Sequence, residues 1–135
     1  MPDDLTIVEM IRHNANLIAQ LLDANHVEND WGFNALTWLE NDIRRLLPHI
    51  TEDDEKLHLI NNVGSYLGEC LCRAYQGQWV SSEYGWGVQM EADITAYPFS
   101  KVRKFIEGDD TDSFASMFAS TRGLIDHRKS TSGGK

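Results

Sequence analysis

The sequence predicts a single α+β domain, in which an N-terminal three-helix half packs on a short antiparallel three-stranded meander and two C-terminal helices follow. Apolar residues recur at helical spacing up to about residue 75 and alternate with a period of two from about residue 79 to residue 98. The chain of 135 residues is 41% hydrophobic and 24% charged, which is the composition of an ordinary globular domain.

The first predicted helix begins at Asp3 or Asp4, because acidic side chains are favoured at a helix N-terminus. From Leu5 to Leu22 an apolar series follows at helical spacing. Four more apolar residues widen this face: Ile7, Met10, Leu17 and Leu21. A helix with so little polar surface packs against more than one neighbour. We therefore expect it near the centre of the fold.

The second helix is predicted over residues 31–46, and Pro48 ends it. Trp31 and Trp38 are seven residues apart and fall together on the side opposite the core face, near Asp42. Two interpretations are open. The pair is buried against a second layer of the protein, as tryptophan usually is. Alternatively it forms an aromatic anchor rimmed by charge, which is the composition of a binding hot spot.

Thr51 is the predicted N-cap of the third helix, and the acids "EDDE" at 52–55 fill its first turn, where the helix dipole favours them. Gly64 and Gly68 lie at the edge of its apolar face, and each costs about 1 kcal/mol of helix stability relative to alanine. Without a side chain these positions let a bulky aromatic or another backbone approach closely, and the tryptophans are candidates. Gly77 is predicted to end the helix.

The stretch "GSYLGECLCRAYQGQWV" within and after this helix carries side chains that are also found in catalytic and metal sites. Cys70 and Cys72 would point roughly 200° apart on a helix, which is too divergent for a disulfide. They lack a zinc motif, so we interpret them as reduced, partly buried thiols. Glu69 and Arg73 are predicted to form a surface ion pair. We interpret the stretch as architecture: a close-packed helix that passes into the sheet.

Three short strands follow, "QWVSS", "WGVQME" and "ITAYP". Pro98 closes the third strand and starts a helix. A break rich in capping residues, "EGDDTDSF", precedes a last helix that is predicted to end near Gly123. The predicted domain is residues 1–126, and residues 127–135 are expected to form a disordered tail.

The net charge of −9 lies almost wholly in the first half of the chain. Residues 1–60 carry 12 acidic against 4 basic side chains, a net charge of −8, whereas residues 61–135 carry 9 against 8, a net charge of −1. Such a field repels nucleic acid and anionic membranes and raises the encounter rate with basic partners. A second interpretation is that the acids only keep the protein dispersed. We expect no nucleic-acid or membrane partner.

The sequence shows no motif for catalysis, a metal or a cofactor. There is no HExxH, Walker loop, GxGxxG or GxSxG pattern, and the acids at 52–55 lack the glycine and the spaced ligands of a calcium loop. The histidines are dispersed along the chain: His13, His26, His49, His58 and His127. We expect no enzyme, no cofactor and no metal site. A cytoplasmic location is expected, because neither a signal-peptide pattern nor a long apolar segment is present.

The order "GSYLGE", "GQW", a turn with tyrosine and glycine, "YPFSKVRKFIEG" and "DSF" resembles a small free-standing bacterial domain of unknown activity. Similar sequences occur as free-standing cytoplasmic proteins, and proteins of this sort are often found as cognate immunity proteins beside secreted antibacterial toxins, so the resemblance implies an immunity role. The resemblance covers about residues 60–120. Its motifs shape turns and packing, so it implies a fold without naming a target.

The resemblance and the charge pattern together predict a cytoplasmic immunity protein that binds a cognate toxin in interbacterial competition and occludes its active site. If that site is basic, acidic residues would mimic the charge of a nucleotide or nucleic-acid substrate. The candidate partner-binding residues are Glu28, Asp30, Trp31, Trp38, Asp42, Glu52 and Asp53. The alternative is an adaptor or secretion chaperone for a protein partner. Both a monomer and a homodimer stay open.

Overall fold

The computed structural model describes residues 3–108 and 113–133 and confirms the predicted α+β fold. Over these residues the N-terminal helices pack on a three-stranded antiparallel sheet, and two C-terminal helices follow. The elements are α1 (Asp4–Ala24), α2 (Phe33–Leu46), α3 (Asp53–Tyr75), β1 (Gln78–Ser82), β2 (Gly85–Gln89), β3 (Thr95–Ala96), α4 (Pro98–Ile106) and α5 (Phe114–Gly133). Single 3₁₀ turns lie at Leu47–His49 and Glu91–Asp93.

Helix α3 lies at the centre of the molecule. It contacts α1, α4, α5, β1 and β2, and every residue from Val63 to Leu71 is buried. The expectation that α1 would be central is wrong. The extensive packing of α1 is against α3 alone, and Met10, Leu17 and Leu21 remain exposed. Apolar residues around a helix show how much surface it can bury, but they do not show how many neighbours the tertiary fold supplies.

The sheet is an antiparallel meander with β2 in the middle. In the register of β1 and β2, Trp79 lies opposite Val88 and Ser82 opposite Gly85. Gly85 has a φ of +96°, a conformation that favours glycine in the tight turn between these strands. Strand β1 supplies Trp79, whose indole covers Gly68 on α3.

The ends of α3 differ from the predicted ones. Its N-cap is Glu52 rather than Thr51, and no side chain caps it. At the other end Gln76, not Gly77, takes the left-handed conformation, with φ +56° and ψ +43°. Gly77 is needed for packing instead, because a β-carbon there would lie 2.5 Å from Cγ1 of Val88 and 3.1 Å from Cα of Cys72.

A buried carboxylate joins α2 to α5. Glu40 is only 5% exposed, and its Oε2 accepts hydrogen bonds from the Ser113 hydroxyl at 2.7 Å and from the backbone N–H of Ala115 at 2.9 Å. The carboxylate therefore caps the start of α5 from a neighbouring helix, where the helix dipole also favours a negative charge.

Helix α5 continues ten residues beyond its predicted end, to Gly133. The segment predicted as a tail lies on this helix as far as residue 133. There Arg128 donates a hydrogen bond to the carbonyl of Ala92 at 3.3 Å, and Lys129 pairs with Glu91 at 2.5 Å. Residues 134 and 135 of that predicted tail, and residues 109–112 of the predicted break, lie outside the described residues.

Candidate functional site

The loop before α2 contains Glu28 and Asp30, two of the predicted partner-binding residues, and both are exposed. The side chain of Asp30 has a structural role. Its Oδ1 accepts hydrogen bonds from the N–H groups of Gly32 at 3.0 Å and Ala35 at 3.1 Å, and its Oδ2 accepts from Asn34 at 3.2 Å. The side chain of Asp30 therefore caps the N-terminus of α2.

Trp31 precedes α2 instead of lying on it and is half-buried. Its ring stacks on Tyr66 with centroids 4.9 Å apart, and the guanidinium carbon of Arg73 lies 3.8 Å from its centroid. The Tyr66 hydroxyl donates a hydrogen bond to Oδ1 of Asn29, and the same oxygen accepts a hydrogen bond from the backbone N–H of Trp31. Trp31 thus fastens the loop to α3. Since α2 begins at Phe33, the predicted helical face shared by Trp31 and Trp38 does not exist.

Trp38 and Asp42 lie one turn apart on α2. Trp38 is half-buried against the core, and Asp42 pairs with Arg45 at 2.6 Å. Glu52 and Asp53 are exposed at the start of α3. The seven predicted residues therefore form three local groups, one before α2, one on α2 and one at the start of α3.

Two exposed apolar side chains near these acids were missed by the sequence analysis. Phe33 is 47% exposed, three residues after Asp30, and Leu57 is 45% exposed, four residues after Asp53. Helical phase reveals neither exposed position. Phe33 precedes the buried Leu36 by three residues and Leu57 precedes the buried Ile60 by three residues, and residues three apart lie on the same side of a helix.

Gly64 and Gly68 admit aromatic rings to the surface of α3, as predicted. A β-carbon on Gly68 would overlap the indole of Trp79, and one on Gly64 would lie 2.5 Å from Cδ1 of Phe99. The two rings are neighbours, with centroids 5.7 Å apart. The glycines therefore let β1 and α4 pack closely on the central helix.

The predicted surface pair of Glu69 and Arg73 is wrong. Glu69 is 9% exposed, and its Oε2 accepts a hydrogen bond from Nε1 of Trp79 at 3.0 Å. Arg73 instead stacks on Trp31. The helical spacing of Glu69 and Arg73 permits an ion pair. Trp79 packs over Gly68, however, and its indole N–H donates a hydrogen bond to the Glu69 carboxylate instead.

Glu69 lies in a cleft of about 470 Å³ between α1, α3 and β1, which we call the arginine cleft. Its polar and aromatic lining comes from Arg12 on α1, from Glu69, Cys72 and Arg73 on α3, and from Gln78 and Trp79 on β1.

The cysteines beside this cleft are reduced, and Cys70 is fully buried. Burial raises the pKa of the Cys72 thiol to about 12 and raises that of Cys70 as well. Both thiols are therefore protonated at neutral pH, whereas the thiolate is the nucleophilic form.

Within residues 3–108 and 113–133, no cluster of three or more His, Cys, Asp or Glu side chains could hold a metal ion. Over the same part of the chain, no helix has both the length and the apolar character needed to span a membrane. Comparison with protein-family models, curated proteins and solved structures gives no match.

Proposed function

We propose that the protein is a cytoplasmic immunity protein that neutralises a cognate antibacterial toxin by covering its active site. The observation that carries this proposal is a set of exposed carboxylates that make no ion pair or hydrogen bond within the described residues: Glu28, Glu52, Asp53, Asp54 and Glu55. We call this set the acidic surface. Asp53, Asp54 and Glu55 lie in the first turn of α3, where the helix dipole favours a negative charge, but none of these carboxylates is held by a contact with a described residue, so their charge can also act on a partner.

Apolar anchors accompany the acidic surface. Phe33 and Leu57 are the exposed apolar side chains nearest to it in the sequence. Trp31, just before α2, and Trp38, on α2, are half-buried against the core. An apolar anchor surrounded by charge is the usual composition of an interface hot spot.

A basic active site would complement this arrangement. Toxins that act on nucleotides or nucleic acids bind phosphate groups with lysine and arginine side chains. The carboxylates of the acidic surface would occupy the place of those phosphates and exclude the substrate. Electrostatic complementarity of this kind acts most strongly on the rate of association.

A second candidate is an adaptor or secretion chaperone. The observation that favours it is the exposed apolar stripe on α1 formed by Met10, Leu17 and Leu21. A chaperone of this kind would cover an apolar segment of its cargo and would raise the amount or export of that cargo without neutralising it.

The test is affinity capture of the tagged protein from its native cells, with a salt wash and identification of the proteins that remain bound. The partner is then expressed alone and together with the wild-type protein. An immunity protein predicts growth arrest by the partner alone and full rescue by co-expression. A harmless partner whose level rises on co-expression contradicts the immunity proposal and supports the chaperone.

Charge reversal at the acidic surface identifies the surface that acts. The double variant Glu52→Lys/Asp53→Lys should lose rescue, because it places positive charge against a basic site. The matched control is Glu107→Lys at the end of α4, where the reversed charge is far along the chain from the acidic surface. Rescue by the double variant equal to that of the control would rule out this surface.

A further inference from the structure

The arginine cleft contains two guanidinium groups, and no carboxylate in the described part of the chain neutralises either of them by direct pairing. Arg12 is exposed and makes no hydrogen bond or ion pair with any residue in 3–108 or 113–133. An arginine that lines a cleft without a partner is unexpected in a chain with a net charge of −9. Its hydrogen-bond donors are available to a ligand.

Arg73 is held in place without the use of its own hydrogen-bond donors. Its guanidinium carbon lies 3.8 Å from the ring centre of Trp31, and the ring in turn stacks on Tyr66. Stacking occupies the face of a guanidinium and leaves the N–H groups along its edge for hydrogen bonds. The side chain is therefore fixed before a ligand arrives, which lowers the entropic cost of binding.

Glu69 limits what the two arginines can bind. Trp79 donates to its Oε2 at 3.0 Å, and Oε1 has no hydrogen bond from the described residues. The charges of Glu69, Arg12 and Arg73 all act on the Cys72 thiol. Its pKa is raised chiefly by burial and then by Glu69, and it is lowered by the two arginines. The cleft thus combines two positive charges with one negative charge that still needs a donor.

We propose that the arginine cleft binds a ligand whose anionic group has a hydrogen-bond donor beside it. Arg12 and Arg73 would bind the anionic oxygens, as guanidinium groups bind phosphate and carboxylate. The donor would satisfy the free oxygen of Glu69. Monohydrogen phosphate has such a donor in its hydroxyl group, and an amino acid has one in its ammonium group. Sulfate and acetate have none, so Glu69 repels them.

The test is a titration of the full chain with four probes at constant ionic strength and neutral pH: inorganic phosphate, sulfate, glycine and acetate. The reporter is the indole N–H resonance of Trp79, identified with the variant Trp79→Phe. Phosphate is compared with sulfate, and glycine with acetate. Phosphate or glycine should shift this resonance saturably and bind roughly tenfold or more tightly than its comparison probe, because sulfate and acetate leave Glu69 without a hydrogen-bond donor. Binding of phosphate alone indicates inorganic phosphate as the ligand, because a phosphate ester at neutral pH lacks the hydroxyl donor, and binding of glycine alone indicates an amino acid.

Two variants test the assigned roles. Arg12→Gln should weaken binding roughly tenfold or more, because a charge-assisted hydrogen bond is lost. The matched control Arg103→Gln lies on α4, where Arg103 pairs with Glu107, and should bind as the wild type does. Glu69→Gln retains an acceptor for Trp79 and turns an amide donor toward the anion. Sulfate should then bind as well as phosphate.

The proposal is overturned if none of the four probes shifts the resonance, if each probe binds as well as its matched partner, or if Arg12→Gln binds like Arg103→Gln. Arg12 is exposed, so its substitution leaves the fold intact. The Arg12→Gln titration therefore tests the proposal even if the Glu69→Gln variant unfolds. The titration requires no toxin, and its outcome is therefore separate from the test of the immunity function.

Discussion

At Gly68 the indole of Trp79 lies where a β-carbon would be, and at Gly64 the ring of Phe99 does the same. Single residues thus decide how closely the sheet and α4 approach the central helix. The indole that fits over Gly68 also donates to Glu69, so the same contact buries a carboxylate and forms one wall of the arginine cleft.

Replacement of Gly68 by alanine is expected to destabilise the protein. Alanine favours a helix by about 1 kcal/mol over glycine, but the overlap with Trp79 costs typically 1–3 kcal/mol or more. The control is Gly123→Ala, because a β-carbon at Gly123 would meet no atom of the described residues within 4 Å apart from its chain neighbours and the backbone of its own helix. Urea denaturation should show a loss of stability for Gly68→Ala and a gain of about 1 kcal/mol for Gly123→Ala. A gain for both variants would mean that Trp79 does not pack against Gly68.

The buried thiols predict a loss of stability in alkali. The pKa of Cys72 is about 12 in the folded protein and that of an ordinary thiol is 9.0, so the unfolded chain ionises first as the pH rises. The contribution of the thiols is therefore complete below pH 9.0 and is lost as the pH approaches about 12. Urea denaturation at neutral pH and just above pH 9.0 measures how far the free energy of unfolding falls between the two. This fall should be smaller for Cys70→Ala/Cys72→Ala than for the wild type. Parallel declines would contradict the assignment.

At the scale of elements, α2 and α5 are joined by Glu40, whose carboxylate accepts hydrogen bonds from Ser113 and Ala115. The sequence offered no signal for this contact. Glu40 and Ser113 are 73 residues apart in the sequence, so no local pattern connects them. A charged residue on an amphipathic helix is also usually exposed. Only the tertiary packing of α5 on α2 shows that the carboxylate is buried.

Glu40→Ala should destabilise the protein by about 1–3 kcal/mol, because buried donors at the start of α5 lose their acceptor. Asp42→Asn on the same helix is the control, since its ion pair with the exposed Arg45 contributes about 1 kcal/mol or less. Thermal or urea denaturation distinguishes the two. Equal effects of the two substitutions would show that the Glu40 cap contributes nothing specific.

The order of the helices and strands could be predicted because it depends on periodicity and turn residues, which are local. Strand β1 and the start of α4 were placed correctly for this reason. The position of α1 at the edge, the stacking of Trp31 and the burial of Glu69 depend on contacts between distant segments. These contacts lie beyond the reach of periodicity, and the arginine cleft that they form could not be predicted.

At the scale of the whole molecule, the acids of the first half divide by role. Glu40 is buried, Asp3 and Asp30 accept backbone hydrogen bonds, and Asp42 pairs with Arg45. The five carboxylates of the acidic surface are exposed and make no hydrogen bond or ion pair with the described residues. Their charge therefore remains available for long-range attraction of a basic partner.

The central claim is that this charge recruits the toxin, and the association rate of the captured partner measured against ionic strength tests it most directly. We expect the rate for the wild type to fall by roughly tenfold or more between low and high salt, because salt screens steering between exposed charges. Glu52→Lys/Asp53→Lys should associate more slowly at low salt and converge with the wild type at high salt, while Glu107→Lys follows the wild type. A wild-type rate that does not change with salt would contradict recruitment by the acidic surface.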